Sequence, residues 1–177
     1  SAGGMDKDVM KRLLREDSVP VACYRAVRAH ERDGLKYEEV VAQLGKELFI
    51  KPANLGSSVG VSKVISQEEF EYAVDEAFEY DYKILIEESL APCREIECAV
   101  LGDSELAEAS VPGEVIPSEK HGFYSYDAKY IDEHGALLEI PAKLSPALGA
   151  RVRALWPCAG GDSSGARRHQ GHMVRPV

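Results

Sequence analysis

The chain has 177 residues, 45% of them apolar and 29% charged, with 21 Lys and Arg against 30 Asp and Glu for a net charge of −9. That length suits one or two compact domains, and the apolar fraction excludes a largely disordered chain. No apolar run nears the roughly 18 residues of a membrane span, and the acidic balance weighs against nucleic acid as a partner. The N-terminal stretch SAGGMDKD lacks an apolar secretory core, and the four cysteines (Cys23, Cys93, Cys98, Cys158) form no CxxC pair. A cytoplasmic location with reduced thiols is therefore expected.

In chain order, Asp6 to Arg15 predicts a helix with Val9, Met10, Leu13 and Leu14 on its inward face. Val19 to Val27 reads as a strand, and Leu35 to Leu44 as a short helix with Val40, Val41 and Leu44 inward. Leu48 to Lys51 is a strand stopped by Pro52, 53–58 a loop, and Val59 to Ile65 a returning strand. Ser66 with Glu69 three residues on forms a capping-box pattern. Phe70, Ala73, Val74, Ala77 and Phe78 then mark one apolar helical stripe. Lys83 to Glu88 is a strand covered on both faces, and Arg94 to Leu101 alternates, with Ile96, Cys98 and Val100 to one side. A turn at Gly102-Asp103 sends Glu105 to Val111 back antiparallel. Pro117 to Tyr130 is a long polar loop, Leu137 to Ile140 a last strand, and Ser145 caps a helix running to about Leu155. From 154 the charge balance turns to +2, leaving −11 for residues 1–153, and four glycines and two prolines follow Ala154. That tail, 154–177, is expected to be frayed or irregular.

Several residues could carry chemistry. The loop from Lys51 to Gly60 (KPANLGSSVG) offers a lysine, small side chains and free backbone N–H groups, the parts of a phosphate cradle. It is not a Walker A sequence, and a plain connecting loop is the default reading of the bare pattern. Glu87 and Glu88 end a strand, where a carboxylate can accept from an adenine amine or a ribose hydroxyl, or simply reach solvent. Glu95 and Glu97 share a face and read as an acid/base or metal pair, or as a solvated face. Lys129 and Tyr130 close the long loop as part of a lid, or of a packed loop without function. Lys7 opens a helix, while His121 and His134 have no nameable partner. His169 and His172 lack a third ligand, so no metal is expected there.

Taken together, five runs in order resemble the D-alanine–D-alanine ligases of the ATP-grasp superfamily. They are Met5-Asp6-Lys7, Phe49 to Ser62 (FIKPANLGSSVGVS), Ile84 to Glu88 (ILIEE), Arg94 to Gly102 (REIECAVLG) and Phe123 to Tyr130 (FYSYDAKY), and the likeness covers residues 1 to about 153. The resemblance implies an α+β ATP-grasp fold of two subdomains with largely antiparallel sheets: 1–90 the central subdomain, 91–153 the start of the next, and 154–177 a divergent tail. It implies an enzyme family that joins two D-alanines with ATP, through an acyl phosphate, in the synthesis of peptidoglycan precursors, with homodimeric full-length members. Lys7 and Lys51 would contact ATP phosphates, and Lys129 the γ-phosphate. Glu87, Glu88 and Leu90 would line the adenine slot, the last two through backbone groups, although some relatives carry lysine at the position of Glu88. Glu95 would hold the ribose, and Ser57 and Tyr130 would hold the loop over the substrates. The FYSYDAKY run favours dipeptide-forming members over D-alanine–D-lactate ligases.

The pattern departs from the family at both ends. The N-terminal domain with its amine-binding glutamate, and the aspartate, glutamate and asparagine that bind Mg²⁺, have no counterpart here. The chain is therefore expected to be an internal piece without ligase turnover of its own, unless Glu95, Glu97 or Glu114 recruits Mg²⁺. A non-catalytic nucleotide-binding module and another ATP-grasp carboxylate–amine ligase are the competing readings.

Overall fold

A computed structural model of the chain describes residues 2–102, 107–118, 120, 123, 125–132, 134–159 and 167–174. The chain divides into two compact units, Ser1–Ser89 and Leu90–Val177.

The first unit begins with a short helix α1 (Ala2–Met5) and with α2 (Lys7–Glu16), followed by β1 (Tyr24–Arg28), a 3₁₀ turn (Ala29–Gly34) and α3 (Tyr37–Leu44). Then come β2 (Leu48–Pro52), β3 (Ser62–Val64), α4 (Gln67–Tyr80) and β4 (Lys83–Glu88). The four strands form one antiparallel sheet in the order β1-β4-β2-β3, with Tyr24 opposite Glu87, Phe49 opposite Glu87 and Lys51 opposite Leu85. Cross-strand partners share a face, so the pleat sorts this sheet into two sides. On one side Leu48, Ile50, Ile84 and Ile86 meet Phe70, Ala73, Val74 and Ala77 of α4 in a buried cluster, with Val41, Leu44 and Phe78 packed against it. The other side carries Tyr24, Lys51, Lys83 and Glu87, and α2 lies over it through Asp8 and Lys11.

Local chemistry accounts for the helix starts. Asp6 caps α2, its carboxylate accepting from the N–H groups of Asp8 and Val9 at 3.0 and 3.2 Å. Ser66 caps α4 through the N–H of Glu69 at 3.3 Å, and the Glu69 carboxylate reaches back to the N–H of Ile65 at 2.8 Å, one residue earlier than a standard capping box. The face of α2 differs from the expected one: Leu14 is buried, but Val9 and Leu13 are 38% and 58% exposed, while Asp8 and Lys11 are buried. Ionic partners on β4 draw the polar residues inward and leave the apolar ones outside. The first strand covers only Tyr24–Arg28, shorter than the predicted 19–27, and β3 shrinks to three residues because turns occupy 57–60.

The second unit contains β5 (Arg94–Gly102), β6 (Ala107–Ala109), β7 (Gly113–Pro117), α5 (Tyr126–Tyr130), β8 (Ala136–Glu139), α6 (Pro146–Ala159) and β9 (Arg167–Val174). All pairings are antiparallel. β6 and β7 lie in tandem along one edge of β5, their register shifted by one residue, and β8 follows β7. A small core joins Ile96, Cys98 and Ala109 to Val152 of α6, with Leu144 and Leu148 against it. Inside the stretch read as loop α5 is regular structure, and β7 fills the residues left unassigned between Val111 and Pro117. Ser125 supplies the cap of α5, accepting from the N–H of Ala128 at 3.2 Å.

Of the divergent tail, residues 154–159 and 167–174 are described. α6 runs through Pro157 to Ala159, and 167–174 pair with β5 as a strand. A proline two residues from a helix end removes one late hydrogen bond rather than an interior run of them. The edge of β5 opposite β6 and β7 offers a row of N–H and C=O groups that a polar segment can pair with as well as an apolar one. The expected turn at Asp103, the start of the return strand at Glu105, and His121 lie outside the described residues.

Candidate functional site: a loop beside clustered lysines on the first unit and a half-buried lysine on the second

Between β2 and β3 the chain makes two successive tight turns. The N–H of Val59 donates to the carbonyl of Gly56 at 3.1 Å, and both central residues, Ser57 and Ser58, are left-handed with φ of 56° and 60°. That is the pattern of a type I′ turn, in which glycine or asparagine normally sits, and two serines there cost on the order of 1 kcal/mol each. The second turn closes from Val61 N–H to Ser58 at 3.3 Å, with Gly60 at φ 65°. A Cβ on Gly60 would lie 2.8 Å from Cδ2 of Tyr80 and 3.0 Å from Cγ of Pro52, so only glycine fits. The foot of the loop is tied down twice. The backbone N–H and Nδ2 of Asn54 both donate to Oδ2 of Asp81 at 2.8 Å. Lys7 donates its N–H to the carbonyl of Ala53 at 2.9 Å and its ammonium to the carbonyls of Pro52 at 3.0 Å, Ala53 at 3.4 Å and Leu55.

Beside this loop lies a group of desolvated charges. Glu87, 6% exposed, holds Lys51 Nζ on Oε2 at 2.5 Å and Lys11 Nζ on Oε1 at 3.1 Å. Its carboxyl stays below the ordinary glutamate range: burial pushes it up, and the two lysines outweigh burial. Burial, then repulsion from Lys51, brings the Lys7 ammonium down to about 8, against the attraction of Glu87, Asp81 and Asp6. Lys11 is likewise lowered, by burial first, with Glu87 opposing. Lys83 stands above its ordinary value because its bonds to Asp6 at 2.6 Å and Asp8 at 3.4 Å overcome burial. Asp8 also accepts from Arg12 at 2.9 Å and from the Tyr24 hydroxyl at 3.1 Å. Lys11 and Arg15 both lie over the Tyr24 ring, 5.2 and 4.7 Å from its centre. With Asp6 and Asp8 taken by Lys83 and Arg12, Lys11 and Lys51 share one carboxylate, Glu87, while the Lys7 ammonium, on the loop carbonyls, feels the charge of Glu87 and Asp81. Such an excess of desolvated positive charge suits a polyanion.

The structure thus brings Lys7, Lys51 and Glu87 together, with Ser57 at the tip of the adjoining loop. Glu88 turns away from them, Oε1 accepting from the N–H of Cys23 at 2.7 Å. Sequence reasoning missed Lys11, which sits four residues after Lys7 on α2 and is in reach of the same carboxylate. That i, i+4 spacing of lysines on a helix was the available signal.

In the second unit Leu90 is half-buried, ahead of β5. Glu95 and Glu97 are half-buried on the face of β5 opposite Ile96 and Cys98. Lys129, on α5, is also half-buried; burial lowers its ammonium below the ordinary lysine range, and Tyr130, Glu95 and Glu97 pull it back up. A 230 Å³ cavity is lined by Lys129 and Tyr130 together with Ala128, Asp132, Ala136 and Leu138. The Tyr126 and Tyr130 rings stack at 5.0 Å. Glu114 is held by Arg94 through two parallel bonds of 2.7 and 2.5 Å, which keep its carboxyl below the glutamate range. It is thereby removed from the candidate Mg²⁺ ligands. Among the described residues no three His, Cys, Asp or Glu side chains cluster together. The side chains of His169 and His172 lie outside the described residues. Nor is any described helix long and apolar enough to cross a membrane.

Comparison with known proteins agrees with this architecture. The family described as D-ala D-ala ligase C-terminus matches residues 13–157. A D-alanine–D-alanine ligase of Bradyrhizobium sp. (strain ORS 278) is 49% identical over 158 residues, 88% of this chain and 42% of the relative. The chain thus spans about two fifths of the length of the curated relatives it matches. The VanG D-Ala:D-Ser ligase of Enterococcus faecalis superposes with a TM-score of 0.75 at 28% identity, covering 89% of this chain and 44% of that one. The D-alanine–D-alanine ligase of Coxiella burnetii does so with 0.71 at 30% identity, covering 89% and 39%. With an antiparallel α+β fold of the ATP-grasp kind and a family match over most of its length, the chain belongs to the D-Ala–D-Ala ligase family.

Proposed function

We propose that this chain is part of an ATP-dependent D-alanine–D-alanine ligase and that its first unit holds the nucleotide's phosphates. The single observation that carries the reading is the excess of desolvated lysine charge around Glu87, beside a loop held in a strained left-handed turn. In the reaction, the carboxylate of one D-alanine takes the γ-phosphoryl group of ATP and ADP leaves. The amine of the second D-alanine then attacks the acyl carbonyl and expels phosphate. Such transfer depends on positioning and charge neutralisation, and each unit supplies parts suited to it. Lys51 meets the phosphates directly. Lys7, with its ammonium on three loop carbonyls, fixes the shape of the loop that receives them. Ser57 offers a hydroxyl at the loop tip.

Within the first unit, the end of β4 offers Glu87 and Glu88 to the adenine; within the second, Leu90 is assigned to the adenine and Glu95 to the ribose. Of these, Glu88 and Leu90 act through backbone groups, the Glu88 carboxylate being engaged by the N–H of Cys23. Lys129 neutralises the γ-phosphate, and Tyr130 helps exclude water from the acyl phosphate. The first unit corresponds to the central subdomain and the second begins the following one. ATP and D-alanine as substrates assign the reaction to the cytoplasm.

Calorimetry with ATP on wild type and Lys51→Ala tests the reading. Loss of a lysine from a charged, partly desolvated site is expected to weaken binding by about 1.5–3 kcal/mol. Equal affinities would remove Lys51 from the phosphate site.

A further inference from the structure

Resting on the reading that Lys51 meets phosphate, we propose that Lys11 is a positioning residue whose ammonium keeps Glu87 compensated when Lys51 leaves it for an incoming polyphosphate. The two oxygens of Glu87 are divided between two lysines, Lys51 on Oε2 and Lys11 on Oε1. The Lys51 side chain is 20% exposed and that of Lys11 11%, so Lys51 is the outer partner. Lys11 is fixed from behind by the Tyr24 ring, and the α2 backbone that carries it is tethered to the loop through Lys7.

With Lys51 as its only partner, Glu87 would be a trap. A buried carboxylate abandoned by its one counter-ion loses its compensation altogether, so that counter-ion is held hard. A second, inner lysine removes the trap. The negative charge of Glu87 remains neutralised by Lys11, and Lys51 can exchange one anion for another. The excess positive charge that results is satisfied only when the phosphate is present. Lys11 in this view never touches the ligand and acts through Glu87.

Tripolyphosphate, which has no base or sugar, is the probe, titrated calorimetrically into wild type, Lys11→Met, Lys11→Arg, the double variant Lys11→Met/Glu87→Gln, and Lys51→Ala. Lys11→Met is expected to weaken binding by about tenfold, and Lys11→Arg to stay within about threefold of wild type. The double variant should recover most of the loss, because Lys51 then has no buried charge to leave. A merely structural role for Lys11 moves the double variant the other way. Wild-type affinity in Lys11→Met, or a double variant no better than Lys11→Met, overturns the inference and leaves the phosphate site standing. Equal binding by Lys51→Ala and wild type, or no binding by wild type, overturns the site reading and the inference with it. If circular dichroism shows Lys11→Met unfolded, Glu87→Gln alone decides: tighter binding than wild type supports the proposal, and equal or weaker binding overturns it.

Discussion

Glu87 in the first unit and Glu114 in the second are both nearly buried carboxylates on strands, yet they are compensated in different ways. Glu114 meets the planar fork of one arginine, Arg94, whose guanidinium also donates to the carbonyl of Lys143 at 3.1 Å. That arrangement fixes direction as well as charge. Glu87 meets two point charges on flexible stems, neither of which dictates the other's direction. Arginine staples a sheet, whereas paired lysines leave one cation able to move. The same contrast runs through the cores. Among the described residues the buried apolar cluster of the first unit has twelve members and that of the second has four. The first unit therefore has apolar burial enough to tolerate a desolvated ionic face on the other side of its sheet.

Core truncation tests the contrast most severely. Phe70→Ala is expected to cost about 3–5 kcal/mol, and Ile96→Ala to fall at the low end of about 2–5 kcal/mol because fewer neighbours surround the cavity. Urea unfolding followed by far-ultraviolet circular dichroism and by the single tryptophan, Trp156 of the second unit, separates the two effects. Similar losses on both probes would break the comparison.

Next in size is the ionic face. Lys83→Met strands Asp6 and Asp8, but Arg12 and the α2 N–H groups still serve them. The expected cost is about 2–3 kcal/mol, less than for a wholly isolated buried pair. Arg94→Ala in the second unit should cost about 1 kcal/mol, since the arginine is partly exposed. The pH profile sharpens the test. Asp6 and Asp8 both titrate below their ordinary 3.8 in the folded chain: burial raises them, and bonds to Lys83 for Asp6 and to Arg12 for Asp8 outweigh it. Their stabilisation is thus present above that pH and lost as pH falls through the folded values. Denaturant midpoints measured from pH 6 down to pH 2 should fall more gently in Lys83→Met than in wild type. A parallel fall would show that Lys83 does not set those values.

The smallest effect is at the loop. Ser57→Gly relieves a left-handed serine and should raise stability by about 0.5–1 kcal/mol while weakening ATP binding through the lost hydroxyl. Thermal melts and calorimetry on the one variant read both. A gain in stability with unchanged affinity would leave Ser57 a role in the turn alone.

Much of the first unit was legible because apolar spacing and caps agree there. The stripe from Phe70 to Ala77 and the Ser66 cap both appear as written in the sequence. Helix α2 was legible in extent but not in orientation, because its buried face is polar and its partners, Lys83 and Glu87, lie some seventy residues away. β7 was missed because a five-residue strand opened by glycine and ended by proline, with a buried glutamate inside it, shows no clean alternation. Lys51, Glu87 and Ser57 were singled out as site residues, but the doubled compensation of Glu87 depends on a contact between α2 and β4 that no local pattern encodes.

The contacts from Lys7 to the loop carbonyls bear on the order in which the first unit folds. They join positions 45 to 48 residues apart, across β1, α3 and β2. The entropy of closing so long a segment must be met before those bonds return anything, whereas the α4 stripe can form from neighbours in sequence. The loop that receives the phosphates is therefore clasped at the end of folding, by a lysine ahead of β1 that waits for the strands to assemble. A misfolded or partly folded chain carries the whole KPANLGSSVG sequence without its shape.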